Sequence, residues 1–261
     1  MPTFGMAMSY QTYIPCDILK PYVSSLAVSE AAEESVYKVL PGTGLVIGFQ
    51  YKGRLSRMEE GKPVLLDTAG ITGLNDQFRV FQNIAGTGSV LVYFREAGAA
   101  PFFRQPLHEL FRESVSLDNL VLRSELLITE EQLCEATTDA GRISIIERFL
   151  IARLQPAEQD KLVLAALALI HKAKGVIRIS ELAKALHTSQ SPLEKRFRKA
   201  VGASPKKFAS VVRLKQVLQQ YDPQNTLTGL GYEAGFYDQA HFIKEFRRFT
   251  GESPETFFTA R

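Results

Sequence analysis

The feature that most constrains this chain is an internal repeat near its C-terminal end. The segment LEKRFRKAVGASPKKF (193–208) aligns with FIKEFRRFTGESPETF (242–257) at a constant offset of 49 residues. The matched pairs are Phe197 and Phe246, Arg198 and Arg247, Lys199 and Arg248, Gly202 and Gly251, Ser204-Pro205 and Ser253-Pro254, and Phe208 and Phe257. Repetition of this kind predicts that one small supersecondary unit occurs twice.

Each copy carries the signals of a short helix, a tight turn and a second helix. In the first copy, Ser180 is expected to cap the helix ISELAKALH, and residues 188–189 are expected to form the turn and cap the next helix. In the second copy, Asp238 takes the corresponding cap position. The two matched glycines stand where a helix ends in the left-handed conformation, and the two Ser-Pro pairs open the helices that follow. Two helix-turn-helix units are therefore predicted.

The second helix of each copy separates an apolar face from a polar face. The side chains expected to face inward are Leu193, Phe197 and Ala200 in the first copy, and Phe242, Phe246 and Phe249 in the second. The outward side chains are Gln190, Ser191, Glu194, Lys195 and Arg198 in the first copy, and Gln239, Ala240, Ile243, Lys244 and Arg247 in the second. Amide and basic side chains in such an array match base edges and phosphates, so both faces are predicted to bind DNA. A solvated surface without a ligand is the simpler alternative for each stripe.

The distribution of charge agrees with a polyanionic partner for the C-terminal part. Residues 1–155 contain 14 Lys and Arg against 18 Asp and Glu, a net charge of −4. Residues 156–261 contain 17 against 10, a net charge of +7. A basic segment of this size joined to an acidic one is typical of nucleic-acid binding, although charge drift between domains is the alternative.

The segment GFYDQAHFIKEFRRFTGESPETF (235–257) resembles the signature of AraC/XylS-type transcription regulators. The resemblance implies two helix-turn-helix units joined by a long helix, here SPKKFASVVRLKQVLQQ (204–220). It also implies base-reading positions and two arginines near the DNA backbone: Ser191, Glu194, Lys195, Gln239, Ala240 and Lys244 for the bases, and Arg198 and Arg247 for the backbone. Double-stranded DNA and RNA polymerase are the partners that it implies. Gly231 departs from the family, which usually has alanine there, and this glycine is expected to loosen its helix.

The first part of the chain reads as strands followed by helices. LVIGFQY (45–51) and SVLVYF (89–94) are rich in β-branched and aromatic residues, and Gly-rich turns separate such runs. From Pro106 the pattern changes to helical spacing, in PLHELFRESV (106–115), in residues 117–138 and in RISIIERFLIARL (142–154). The prediction is an α+β chain with a β-barrel or sandwich and a helical hairpin in 1–155, and an all-α double helix-turn-helix in 156–261, divided at Pro156.

The N-terminal part resembles the cupin-like sensory domain of some regulators in residues 21–23, 40–49 and 90–110. This resemblance implies a small-molecule effector, a homodimer, or both; residues 118–154 are expected either to pair two subunits or to pack within one. Two strand arginines, Arg79 and Arg95, lie near Phe81 and Tyr93 in sequence. If they point into the barrel, they are candidates to clamp a carboxylate or phosphate. Exposure on the polar face of a strand is the alternative.

Catalysis, metal binding and membrane insertion are not expected. His108 is the one histidine in residues 1–155, so a group of metal ligands is not indicated there. Cys16 and Cys134 have no predicted base beside them, so an activated nucleophile is not indicated either. No cofactor is expected. The longest apolar run, at 162–170, is too short for a membrane helix, no signal peptide is evident, and a cytoplasmic protein is expected. The alternative function is a small-molecule-binding or metabolic enzyme with a helical partner-binding tail.

Overall fold

The computed structural model describes residues 8–155, 159–224 and 226–259, and the predicted boundary at Pro156 lies outside them. The strands are β1 (Met8–Tyr13), β2 (Val23–Ala31), β3 (Ser35–Val39), β4 (Val46–Lys52), β5 (Leu55–Glu59), β6 (Lys62–Leu65), β7 (Ala69–Thr72), β8 (Arg79–Asn83), β9 (Thr87–Phe94) and β10 (Ser114–Ser116). The helices are α1 (Arg123–Glu135), α2 (Asp139–Arg153), α3 (Lys161–Lys172), α4 (Ile179–Ala185), α5 (Gln190–Val201), α6 (Pro205–Gln220), α7 (Leu227–Glu233), α8 (Gln239–Thr250) and α9 (Pro254–Thr259), with short 3-10 helices at Ala100–Phe102, Leu107–Leu110 and Leu117–Asn119. The predicted α+β architecture, strands first and helices last, is confirmed.

The strands form two antiparallel sheets in the β-rich part, residues 8–153. One sheet has the order β1-β2-β9-β4-β7-β10 and the other the order β3-β8-β5-β6. The predicted strands at 45–51 and 89–94 are confirmed, but the predicted helix over 106–115 is wrong: only Leu107–Leu110 is helical, as a short 3-10 helix. Ser114–Ser116 pairs instead with β7, because an extended segment satisfies its backbone groups at the open edge of the larger sheet.

Helices α1 and α2 cover one face of the larger sheet. Ile143, Ile146, Phe149 and Leu150 of α2 are buried, in agreement with the helical spacing of apolar residues in RISIIERFLIARL. Phe49 of β4 meets Phe149 edge to face, with ring centroids 5.4 Å apart. Inward side chains of the alternating strand and of the amphipathic helix thus pack together in one apolar layer.

Most of the predicted caps of the helical part, residues 159–259, are confirmed. Asp238 accepts a hydrogen bond from the backbone N–H of His241 at 2.7 Å, and Ser204 accepts one from Lys207 at 3.3 Å. The cap predicted at Ser180 is wrong, because the N-cap of α4 lies two residues earlier in the chain. This N-cap is Arg178, whose backbone N–H donates to the Glu181 carboxylate at 3.4 Å.

The apolar side chains form two clusters, and the division between them does not follow the predicted boundary. The main core runs from β-rich residues such as Leu26 and Phe49 through Leu107 into α3, α4, α5 and α6 as far as Val212. The C-terminal core contains the rest of α6 and the buried residues of α7, α8 and α9. No helix in the described part of the chain has the length and apolarity to cross a bilayer.

Candidate nucleic-acid interface

The first helix-turn-helix unit consists of α4 and α5. Leu193 and Phe197 of α5 are fully buried, and Ala200, also predicted inward, is partly buried against the main core. On the opposite face, Gln190, Ser191, Lys195 and Arg198 are exposed and Glu194 is half-buried. The helix therefore presents all five side chains of the predicted polar face together.

The second unit, α7 and α8, repeats this arrangement. Phe242, Phe246 and Phe249 are buried in the C-terminal core. The predicted outward side chains are again on one face: Gln239, Ala240, Lys244 and Arg247 are exposed, and Ile243 is half-buried. Both units thus bury their aromatic stripe and leave their amide and basic side chains accessible.

The aromatic side chains of the second unit pack edge to face or tilted. Phe242 lies 5.1 Å from Phe236 and 5.7 Å from Phe246, measured between ring centroids. A Cβ atom at Gly231 would lie 3.0 Å from the ring of Phe242. The absence of a side chain at Gly231 lets α7 and α8 approach closely. The sequence-based expectation that this glycine loosens its helix did not include this close packing.

Helix α6 touches both units, as the resemblance implied. Near its start, Phe208 meets Phe197 edge to face at 5.6 Å. Further along, the Arg213 guanidinium lies 4.0 Å from the ring centroid of Phe236, in the turn of the second unit, and burial lowers the pKa of Arg213. These contacts at two points along one helix orient the units relative to each other.

His108 lies beside the polar face of α5, a position that its sequence context did not reveal. It lines a cleft together with Gln190, Ser191, Glu194, Lys195 and Arg198. Its Nδ1 atom is buried and has no hydrogen-bond partner among the described residues. The β-rich part therefore borders the first candidate interface.

The interior of the β-rich part brings three of the four predicted ligand residues together. Tyr37 and Phe81 stack with centroids 5.9 Å apart. Tyr93 is half-buried near Tyr37, and desolvation raises its pKa. Arg79 reaches from the smaller sheet to Ser114 of the larger one. Burial and the neighbouring charge of Arg57 lower the pKa of Arg79 to about 10.

Arg57 was missed by the sequence analysis, and Arg95 lies elsewhere. Arg57 lies opposite Phe81 in the antiparallel strand register, so both side chains lie on one face of the smaller sheet. The alternation of side chains along the strand LSRME could have indicated this position in the sequence. Arg57 Nε and Arg79 Nη2 are buried without a hydrogen-bond partner among the described residues. Arg95 is exposed and donates to the carbonyl of Lys20 at 2.7 Å, which removes it from this group.

The described residues contain no group of three or more His, Cys, Asp or Glu side chains placed to hold a metal ion. Cys16 is half-buried and Cys134 is exposed, and both are free thiols.

A family model described as a helix-turn-helix domain matches residues 182–260. The C-terminal region is an AraC-type helix-turn-helix domain. The resemblance carried by 235–257 is thereby confirmed for this domain. A second model, described as a domain of unknown function (DUF6597), matches residues 11–116.

Individual proteins are similar over different extents. The Msm operon regulatory protein of Streptococcus mutans is 31% identical over 120 residues, which are 44% of this chain and 42% of that protein; the match thus spans less than half the length of the relative. The structure of ToxT from Vibrio cholerae aligns over 97% of this chain and 98% of its own, at 8% identity and a TM-score of 0.48. The C-terminal domain of AraT, a response regulator from Geobacillus stearothermophilus, aligns over 40% and 89%, at 18% identity and a TM-score of 0.38.

Proposed function

We propose that the protein is a sequence-specific DNA-binding transcription regulator, in which residues 156–261 read DNA and residues 1–155 sense a small ligand. The observation that carries this proposal is the pair of exposed polar faces on α5 and α8, each backed by a buried aromatic stripe. Two recognition helices on one chain suit successive major grooves on one side of a duplex, about 34 Å apart. A single chain would then recognise a non-palindromic site in the cytoplasm, with RNA polymerase as its second partner. A homodimer would recognise a direct repeat.

The chemistry of the side chains assigns a role to each position. Gln190 and Gln239 have the donor and acceptor geometry for adenine, Lys195 and Lys244 for guanine, and Glu194 for the amino group of cytosine. Ser191, Ala240 and Ile243 offer small or apolar contacts to base edges. Arg198 and Arg247 would engage phosphates, which fix the register without reading sequence.

Selection of a cognate site from a random pool of duplexes, followed by binding measurements, tests this proposal. Lys244→Ala and Gln239→Ala should each reduce preference for the selected site by about 1–3 kcal/mol, because each removes one base contact. Lys52→Ala is the matched control, since it removes the same charge from an exposed position on β4. Unchanged preference in both α8 variants would contradict the groove assignment. A wild-type protein that ignores duplex DNA and turns over a small molecule would favour the enzyme alternative.

For the sensory role we propose a small carboxylate or phosphate, held between the sheets by Arg57 and Arg79 beside Tyr93 and Phe81. Arg57 already pairs with Glu59, but its Nε and the Nη2 of Arg79 are buried without a partner among the described residues, and an anion that accepts from both would stabilise them. A thermal-shift screen of small carboxylates and phosphates should find compounds that raise the melting temperature of the wild type and not that of Arg79→Met. A rise that persists in the variant would place the ligand elsewhere.

A further inference from the structure

The two helix-turn-helix units contact the β-rich part in different ways. Helix α5 lies against the 3-10 helices Ala100–Phe102 and Leu107–Leu110, within the main core. The apolar contacts of the second unit with the β-rich part are narrower: Leu40 packs against the C-terminal core, and the ring of Phe78 approaches Gly251. Two ion pairs also join the second unit to the β-rich part, one between Lys38 and Glu252 and one between Asp76 and Arg248.

Asp76 is the centre of these ionic contacts. It is 5% exposed, and three cations surround its carboxylate. Arg112 donates to both oxygens, at 2.7 Å and 3.0 Å, and Lys207 Nζ lies 2.8 Å from Oδ2, to which Arg248 also donates. Burial alone would raise the pKa of Asp76, but these three cations outweigh it and lower the pKa to about 2. The carboxylate is therefore ionised at neutral pH. Asp76, Arg112, Lys207 and Arg248 are called the Asp76 cluster below.

Two members of the Asp76 cluster come from the DNA-binding domain. Lys207 lies in the first turn of α6, and Arg248 lies in the last turn of α8. Arg248 also lines a cleft with Ala240, Ile243 and Lys244 of the proposed DNA face. The Asp76 carboxylate of the β-rich part thus forms an ion pair with Arg248, which lies at the border of the surface that would contact DNA phosphates.

The loop that carries Asp76 is fixed from the β-rich side. The Asn75 side-chain oxygen accepts from the backbone N–H groups of Asp76 at 2.9 Å and Gln77 at 3.3 Å. Arg112 has a left-handed backbone, with φ of 66°, and its N–H donates to the Leu74 carbonyl at 2.8 Å.

The same backbone leads to the interior of the β-rich part. Arg79 donates to the carbonyl of Glu113, the residue after Arg112, at 3.4 Å, and to the Ser114 hydroxyl. A ligand that draws Arg79 away from this strand would therefore act directly on the segment that presents Arg112 to Asp76.

We propose that Asp76 competes with DNA phosphates for Lys207 and Arg248, so that DNA binding by the second unit requires release of the Asp76 cluster. The interior of the β-rich part, through the contacts of Arg79 with the segment 112–114, controls the stability of the Asp76 cluster. This inference rests on the proposed function and names its regulation. Coupling of this kind requires that the effector and DNA favour different states of one shared element, here the Asp76 cluster.

Asp76→Asn, which keeps the shape of the side chain and removes its charge, tests the competition. Asp118→Asn is the matched control, because it removes the same charge from the β-rich part and, among the described residues, breaks one ion pair, with Arg123. Binding to a fluorescently labelled random-sequence duplex is measured by anisotropy over a range of salt concentrations. Asp76→Asn should bind severalfold more tightly than Asp118→Asn at low salt. Its plot of log K against log salt should be steeper by about 1–2, since each added phosphate contact contributes about 0.9 to the slope.

Equal affinity and slope in the two variants, or weaker binding by Asp76→Asn, would overturn the competition while leaving the proposed function intact. Failure of the wild type and of both variants to bind any duplex would overturn both. Hydrogen exchange on the wild type gives a second readout that does not depend on the variant folding. Addition of the duplex should speed exchange of the backbone amides of residues 73–78, and unchanged or slower exchange there would contradict release.

Discussion

The first and second helix-turn-helix units share a sequence pattern but are joined to the rest of the molecule by different forces. Phe197 belongs to the same continuous core as Phe49 of the β-rich part. Phe246 belongs to a separate core, and its unit meets the β-rich part at Leu40, at the Phe78 ring and through the ion pairs of Arg248 and Glu252. The two units therefore share their local structure but differ in their contacts with the β-rich part.

This difference has thermodynamic consequences. Burial of apolar surface is non-directional and insensitive to moderate salt, so the first unit should unfold together with the β-rich part. The ion pair of Lys38 with Glu252 is partly exposed, so salt weakens it and it contributes little. The Asp76 carboxylate is buried, but it keeps Arg112 as a partner when Arg248 leaves, so the second unit should separate at lower cost than the first. A second unit that separates easily is suited to regulated DNA binding, whereas a first unit within the main core keeps a constant position relative to the β-rich part.

The largest effects are expected from truncation of the matched core aromatics. Phe197→Ala and Phe246→Ala should each cost about 3–5 kcal/mol, because both remove a fully buried ring. Phe197→Ala should lower the free energy of global unfolding, whereas Phe246→Ala should speed exchange mainly in residues 227–259 and spare β2 and β9. Denaturant unfolding and hydrogen exchange measured by mass spectrometry distinguish the two. Equal loss of protection in the strands of both variants would remove the contrast between the units.

Smaller effects are expected at the matched glycines that end α5 and α8. Gly202 and Gly251 have φ of 92° and 86°, so alanine at either position should cost about 1–2 kcal/mol from the backbone alone. Added Cβ atoms would also lie 3.2 Å from the Leu107 carbonyl oxygen at Gly202 and 2.9 Å from the Phe78 ring at Gly251.

Gly61→Ala isolates the backbone contribution, because φ is 79° there and no atom lies within 4 Å of the added Cβ. Denaturant unfolding should show that both matched substitutions cost more than Gly61→Ala. In addition, Gly251→Ala should speed exchange at residues 73–78, because the Phe78 ring must move. Identical costs at all three glycines would mean that the contacts with the β-rich part contribute nothing measurable.

The features that the sequence predicted well are those that depend on neighbours within about one helical turn. Asp238 and Ser204 cap helices because they lie three residues before the N–H groups that they accept from. The outward faces of α5 and α8 follow from a period of 3.6 residues in the same way. The cap predicted at Ser180 is two residues too late, because the capping interaction between Arg178 and Glu181 starts α4 earlier than the preference for serine at this position indicates.

The features that the sequence did not reveal join residues far apart in the chain. The segment at Ser114–Ser116 has too few residues to signal a strand, and its pairing with β7 decides its conformation. Arg79 and Arg95 looked alike as strand arginines, and only the packing of the two sheets buries one and exposes the other.

The sequence by itself determined that two similar helix pairs form, where they begin and end, and which of their faces are polar. Those outcomes depend on local hydrogen bonds and on the spacing of apolar side chains, which are written within each segment. The tertiary structure alone decided that the first pair joins the main core and that the second is held at Asp76. Lys207 and Arg248 lie 131 and 172 residues from that carboxylate, so no local pattern in the chain records that the three meet.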